Sequence, residues 1–315
     1  MRRPFSFAIL AAIGLCLLAT TGCSDFESRA DSGKPAGPPL EFLGAWGVRG
    51  NGPGQLDQPA HIATDAVGNV YVTDSGSRFV HKFSPLGKPL LSFQEDPLKH
   101  PQCIAVDLGG VIYVTDPVRG SVFMCLPSGE RDRYRELRLR SRVKKENVLG
   151  VGVADDGLIY VLDANAGKIF AFNNRLRVAL SWQPHLDSGG SKELSGGIAI
   201  GPDTSVYVAD PSRGRILKFT RDGRYLSEIG VSATVSGSRL SNEFAVASNY
   251  LFAMDSDGRM LHAWTSDGTP KLDVDLAPQL GQASRPAPPL AVSPRGELLV
   301  LDESDARVLR YRINF

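Results

Sequence analysis

The sequence predicts an all-β chain folded as a six-bladed β-propeller of four-stranded antiparallel blades, closed by the N-terminal strand pairing in the last blade. Three observations carry this. One unit occurs six times, as VYVTD ending at Asp74, IYVTD at Asp116, IYVLD at Asp163, VYVAD at Asp210, LFAMD at Asp255 and LLVLD at Asp302, at steps of 42, 47, 47, 45 and 47 residues. A repeat of that period is one supersecondary unit that buries its apolar faces only by stacking on its neighbours. Each unit also carries further short β-prone runs separated by Gly-, Asp- and Pro-rich turns, which makes four strands per repeat. Finally, the last unit ends at Phe315 after its third strand, whereas EFLGAWG, residues 41–47, is a strand without a repeat of its own. Pairing the two hides two sheet edges.

The composition agrees. The 315 residues are 42% hydrophobic, enough for one sizeable core. The 33 Gly and 21 Pro supply many turns. With 35 Lys and Arg against 34 Asp and Glu, the chain lacks the broad basic surface of a nucleic-acid binder, so no nucleic-acid partner is expected.

Taken in order, residues 1–22 begin with Arg2 and Arg3, continue through an apolar run from Phe5 to Ala19 and end in small residues, the pattern of a secretory signal peptide. The stretch TTGC ending at Cys23 resembles a bacterial lipobox, which implies acylation of Cys23 and a membrane anchor through that lipid. Ser24 stands where an Asp would resemble an inner-membrane retention signal, so the resemblance favours the outer membrane of the envelope. Residues 23–40 are polar and rich in Pro and Gly, which reads as a disordered tether. The propeller then covers 41–315. Once Cys16 leaves with the signal peptide and Cys23 is acylated, only Cys103 and Cys125 remain. They fall in the first and third strands of one blade, about 9–10 Å apart, too far for a disulfide.

Within each repeat, an apolar first strand (HIATD, CIAVD, VGVAD, GIAIG, FAVAS, LAVSP) precedes the recurring unit. A third strand follows it (RFVHKF, SVFMCL, KIFAF, RILKF, RMLHAW, RVLRY) and then a fourth, such as KPLLSF or RVALSW. Nine residues after each Asp stand Phe83, Cys125, Phe172, Phe219, Trp264 and Tyr311, one core position per blade. The six Asp are expected to be structural, each carboxylate accepting backbone N–H bonds in an Asx-type turn. His81 and His262 share a third-strand register and are read as packing or surface residues.

Trp46 to Lys88, WGVRGNGPGQLDQPAHIATDAVGNVYVTDSGSRFVHKFSPLGK, resembles an NHL repeat in its Gly-x-Gly-x-Gly-Gln-Leu-x-x-Pro opening, its Gly-Asn-Val-Tyr-Val-x-Asp hairpin and the basic residue opening its third strand. Weaker copies extend to Phe315; a YWTD-type propeller is the nearest competitor. Some six-bladed relatives with NHL-like blades are metal enzymes, the amidating lyases with a His triad and lactonases with a Glu, Asn and Asp set. Here the ring at the start of the inner strands reads His61, Cys103, Gly150, Gly197, Glu243 and Pro289. One His, one Cys and one Glu do not make a three-ligand site, and no metal or cofactor is expected.

Strand alternation puts the first and third turns of every blade on one face, and the second turns and inter-blade connectors on the other. The second face carries the long connectors near 130–149, 183–196, 231–243 and 275–289, together with Arg78, Arg119 and Arg213. Elaborated loops favour binding there. The candidate binding residues are therefore Arg78, Arg119, Arg213, His61 and Glu243. Residues 130–145, with eight basic and three acidic side chains, either protect a sheet edge or meet an anionic partner. The expected function is a non-catalytic, monomeric envelope lipoprotein that binds a protein or polysaccharide; the alternative is a metal-dependent hydrolase or lyase with its site in the central channel.

Overall fold

A computed structural model describes residues 37–94, 96, 98–126, 135–138, 148–163, 167–184, 197–230, 239–280 and 286–315, with 135–138, 148 and 149 described as backbone. The expected signal peptide, Cys23, most of the expected tether and most of the four long connectors, including the greater part of 130–145, lie outside them.

Among the described residues, twenty-four strands form six four-stranded antiparallel sheets. Blade one is β2 (Pro59–Thr64), β3 (Val70–Asp74), β4 (Val80–Phe83) and β5 (Pro89–Phe93); blade two is β6 (Ile104–Val106), β7 (Ile112–Asp116), β8 (Ser121–Cys125) and β9 (Arg135–Arg138). Blade three is β10 (Val148–Val153), β11 (Ile159–Asp163), β12 (Lys168–Phe172) and β13 (Val178–Trp182); blade four is β14 (Ile198–Ile200), β15 (Val206–Asp210), β16 (Arg215–Phe219) and β17 (Tyr225–Gly230). Blade five is β18 (Leu240–Ala247), β19 (Tyr250–Asp255), β20 (Met260–Thr265) and β21 (Pro270–Asp275). Blade six joins β22 (Leu290–Val292), β23 (Glu297–Asp302) and β24 (Arg307–Ile313) to β1 (Leu40–Trp46), so the N-terminal strand closes the ring. Inner strands of neighbouring blades pack side by side all the way round, β22 against β2 included.

The alternation of the recurring unit explains the stacking. In β3, Val70 and Val72 pack with Leu299, Leu301 and Val308 of blade six, while Tyr71 faces Ile104, Ile112 and Val114 of blade two. In β7, Ile112 and Val114 face blade one and Tyr113 faces Val151 and Val161 of blade three. The second strand is thus apolar on both faces because each face belongs to a different inter-blade core. Its buried side chains are each worth about 1.5–3 kcal/mol. Phe83, Cys125, Phe172, Phe219, Trp264 and Tyr311 are all buried in these cores.

The recurring Asp are buried. Asp74 accepts the amides of Asp57, Gln58 and Ser77, and Asp116 those of Lys99, His100, Val118 and Arg119. Each thereby joins its own turn to the connector that leads into the blade. Asp255 accepts the amides of Arg259 and Met260. Asp302 takes the Asp305 amide, the Ser304 hydroxyl and Arg307. Asp210 is met instead by the Ser212 hydroxyl and by Arg213 and Arg215. Asp163 is buried too, but the turn after it lies outside the described residues.

Several boundaries differ from the sequence reading. Leu40 belongs to β1, not to the tether, because it pairs with Ile313. Phe42 of β1 is 48% exposed and leans on Tyr311, so it adds less to closure than a core side chain. Of the two alternatives for His81 and His262, packing holds, since both are buried: His81 Nδ1 meets Ser92 Oγ at 2.8 Å and His262 Nδ1 meets Asp273 at 2.6 Å. Cys103 and Cys125 are not joined in a disulfide.

Candidate functional site at the channel mouth

Six inner strands surround a central channel of about 340 Å³ whose wall is mostly backbone and small or branched apolar side chains such as Ala63, Ala105, Ala199, Val246 and Ala291. Polar side chains gather at one end. There Gln102 and Glu243 also line a second, open basin of about 530 Å³, shared with Arg49, Asp57, Gln58, Ser75 and Glu303. Apart from Glu243, these residues come from second turns and connectors, so the basin lies on the connector face.

Local irregularities in the inner strands present the ring. The pairing register shifts between Pro59 and His61 in β2, between Val148 and Gly150 in β10, and between Leu240 and Phe244 in β18. Such bulges bend a strand and re-aim its side chains. Glu243 therefore belongs to an inner strand rather than to a connector, and its amide is held by Ser241 Oγ at 3.0 Å. Gly150 and Gly197 permit a close approach on the other side of the ring. A Cβ on Gly197 would lie 2.6 Å from the Asn242 carbonyl oxygen, and one on Gly150 2.8 Å from Ile198 Cγ2.

His61 and Glu243, from blades one and five, face each other with Nε2 and Oε2 3.8 Å apart, each a quarter exposed. Burial lowers the His61 imidazole to about 4. Burial, with the nearby charge of Glu303, raises the Glu243 carboxyl to about 8. Glu303 itself is raised to about 7 by burial and by Asp302. The Cys103 thiol is pushed up to about 12 by burial and by Glu243, which keeps it a thiol rather than a nucleophilic thiolate. Near pH 7 the mouth thus holds a neutral imidazole and a protonated carboxyl. Among the described residues, no three His, Cys, Asp or Glu side chains converge to hold a metal ion, and His61 with Glu243 alone falls short of the three protein ligands usual at catalytic zinc.

The candidate arginines lie on second turns of blades one, two and four. Arg78 is exposed, at a positive φ of 61°, in the turn that also contributes Ser75 to the basin. Arg119 is half-buried and its amide is bound to Asp116. Arg213 sits 3.2 Å from the buried Asp210 carboxylate, which makes it a strut of its own turn. Gln102, Asn242 and Glu303 were not singled out from sequence. For Glu303 a signal exists: it follows the recurring Asp302 directly, where the other blades carry Ser75, Pro117, Ala164, Pro211 and Ser256.

No protein-family model matches the chain, and no curated protein matches it in sequence. Solved structures do match in fold. A streptogramin B lyase superposes with a TM-score of 0.60 at 13% identity, covering 87% of this chain and 98% of the lyase. A catalytically inactive histidine-to-alanine variant of virginiamycin B lyase from Staphylococcus aureus, with quinupristin, gives 0.58 at 12% identity over 81% and 80% of the two chains. The β-propeller domain of Myceliophteria thermophila Cps50 (Swd1) gives 0.61 at 10% identity over 87% and 100%. At these identities the likeness establishes the propeller fold.

Proposed function

We propose that the chain is an NHL-type propeller lipoprotein of the bacterial envelope, anchored through Cys23, that binds a protein or glycan partner on its connector face without catalysing a reaction. The observation that carries this reading is the open polar basin where second turns and connectors converge on the channel mouth. The basin offers uncharged and charged hydrogen-bonding groups in a concave setting, as binding sites require. Rim residues Asp57 and Arg78 stand outside the channel pair and are the groups a partner would meet first.

A second reading, a metal-dependent hydrolase or lyase using the channel, is favoured by the His61 and Glu243 pair, since an acid and a base held 3.8 Å apart in a cavity suit proton transfer. Lyases also occur among the proteins of similar fold. One experiment separates the readings. Purified mature protein, its Asp57→Lys/Arg78→Glu variant and its His61→Ala variant are compared for folding, metal content and capture of envelope material, with Cys23→Ser as a control for anchoring. Binding on the rim predicts that the double variant loses capture tenfold or more while His61→Ala leaves no metal to lose. A stoichiometric metal that disappears with His61→Ala would establish the enzyme reading instead.

A further inference from the structure

The channel mouth presents four polar side chains whose hydrogen-bonding capacity is unused by the described protein. His61 and Glu243 face each other at 3.8 Å, too far for a direct hydrogen bond. Gln102 and Asn242 are exposed residues that line the same cavity, and neither side chain makes a hydrogen bond to another described residue. A gap of this width between two such groups is one that a single intervening oxygen spans. Behind the four, the channel is lined by alanines and branched aliphatic side chains and offers no charged group among the described residues that line it, apart from the pair itself.

We propose that this mouth is a subsite for one uncharged sugar residue, with a hydroxyl of the sugar bridging His61 Nε2 and the Glu243 carboxyl and with the Gln102 and Asn242 amides reaching its neighbouring hydroxyls. A hydroxyl both donates and accepts, which is what a neutral imidazole facing a protonated carboxyl requires. Burial keeps His61 uncharged and, with Glu303, keeps Glu243 protonated near pH 7, so a neutral ligand enters without having to supply a countercharge. The cavity of about 340 Å³ lies at the small end of the roughly 300–1,000 Å³ typical of ligand sites, which restricts the occupant to a single small unit while the open basin accommodates whatever continues from it. This inference rests on the binding reading and names the partner's chemistry as saccharide.

The test is ligand-observed saturation-transfer NMR on the mature protein at neutral pH, with the neutral probes D-glucose, D-mannose and N-acetyl-D-glucosamine, the cation D-glucosamine and the anion D-glucuronate. At least one neutral sugar is expected to bind, and more tightly than either charged sugar. Glu243→Gln, which keeps a donor and an acceptor, should retain that binding within about threefold; Glu243→Leu and His61→Phe should each weaken it about tenfold, the scale of one hydrogen bond lost. Melting temperatures establish that each variant folds. If Glu243→Leu fails to fold, Gln102→Ala and Asn242→Ala, at exposed positions, test the same site. Absence of transfer to all three neutral sugars, preference for a charged sugar, or transfer that survives His61→Phe unchanged would overturn the inference. Rim-dependent capture of an envelope protein with no sugar binding overturns it too while leaving the binding reading in place, whereas loss of both overturns both.

Discussion

At the scale of the residue, Glu243 at the channel mouth makes stability depend on pH in a direction opposite to most carboxylates, whereas His61 runs in the usual one. Glu243 has an ordinary value of 4.5 and is raised to about 8 in the folded chain. Between those values the unfolded chain has released the proton and the folded chain still holds it. The protonated carboxyl therefore contributes stability that is complete below pH 4.5 and is lost as pH rises towards 8. His61, lowered from 6.5 to about 4, contributes stability that is present above pH 6.5 and lost as pH falls towards 4. Glu243→Gln, which cannot ionise, should raise stability at pH 8 by on the order of 2–4 kcal/mol relative to wild type and have little such effect near pH 4. Urea denaturation at several pH values measures this; a gain independent of pH would mean that the carboxyl is not held protonated by the fold. His61 was legible from sequence by counting back along its repeat from the strand-two Tyr71, and Glu243 only to within one residue, since the same count from Phe252 reaches Asn242. Gln102 was not, because it stands one place before the ring position Cys103 and nothing local marks that polar neighbour as lining the channel.

At the scale of the element, neighbouring blades are clasped by a recurring contact between the last large side chain of an outer strand and the glycine in the third turn of the next blade. A Cβ on Gly87, at φ +82°, would fall only 2.2 Å from Trp46 Cγ, and one on Gly223, at φ +91°, 2.4 Å from Trp182 Cγ. Both requirements apply at once: the positive φ demands glycine, and the indole leaves no room for a methyl group. Gly157 has nearly the same φ, +81°, with nothing within 4 Å, and serves as the control. Gly157→Ala should cost about 1 kcal/mol from backbone strain alone. Gly87→Ala should cost a further 1–3 kcal/mol from overpacking. Equal losses in denaturant midpoint would show that the indole yields freely. The strands themselves were readable because the recurring unit keeps its register against the turns. The clasp was not, since the Trp and the Gly that meet belong to different repeats and no periodicity within a repeat links them.

At the scale of the whole molecule, the ring is held shut by β1. Leu40 pairs with Ile313 and Trp46 with Val308, and the Arg312 guanidinium reaches Glu41 at 2.8 Å. Deleting residues 40–46 removes an outer strand, exposes the edge of β24 and uncovers Phe83, against which Trp46 packs at 4.8 Å between ring centroids. A loss of roughly 3–5 kcal/mol is expected, since Leu43 and Trp46 are partly buried while Phe42 is half in solvent. Deleting residues 26–36, which precede the propeller, should leave the melting temperature unchanged. Equal melting temperatures for the two deletions would refute closure by this strand.

The same closure has a temporal side. Among the described strands β1 comes first and its partner β24 last, with Glu41 and Arg312 separated by 271 positions in sequence. During synthesis β1 must wait, unpaired, until nearly the entire chain exists, and the first blade meets its neighbour β22 equally late. Pairings so distant in sequence carry a large loop-closure cost before they return any stabilisation, and chains dominated by them fold slowly. The ring therefore cannot lock until both of its closing strands are present, however long the blades between them have been complete.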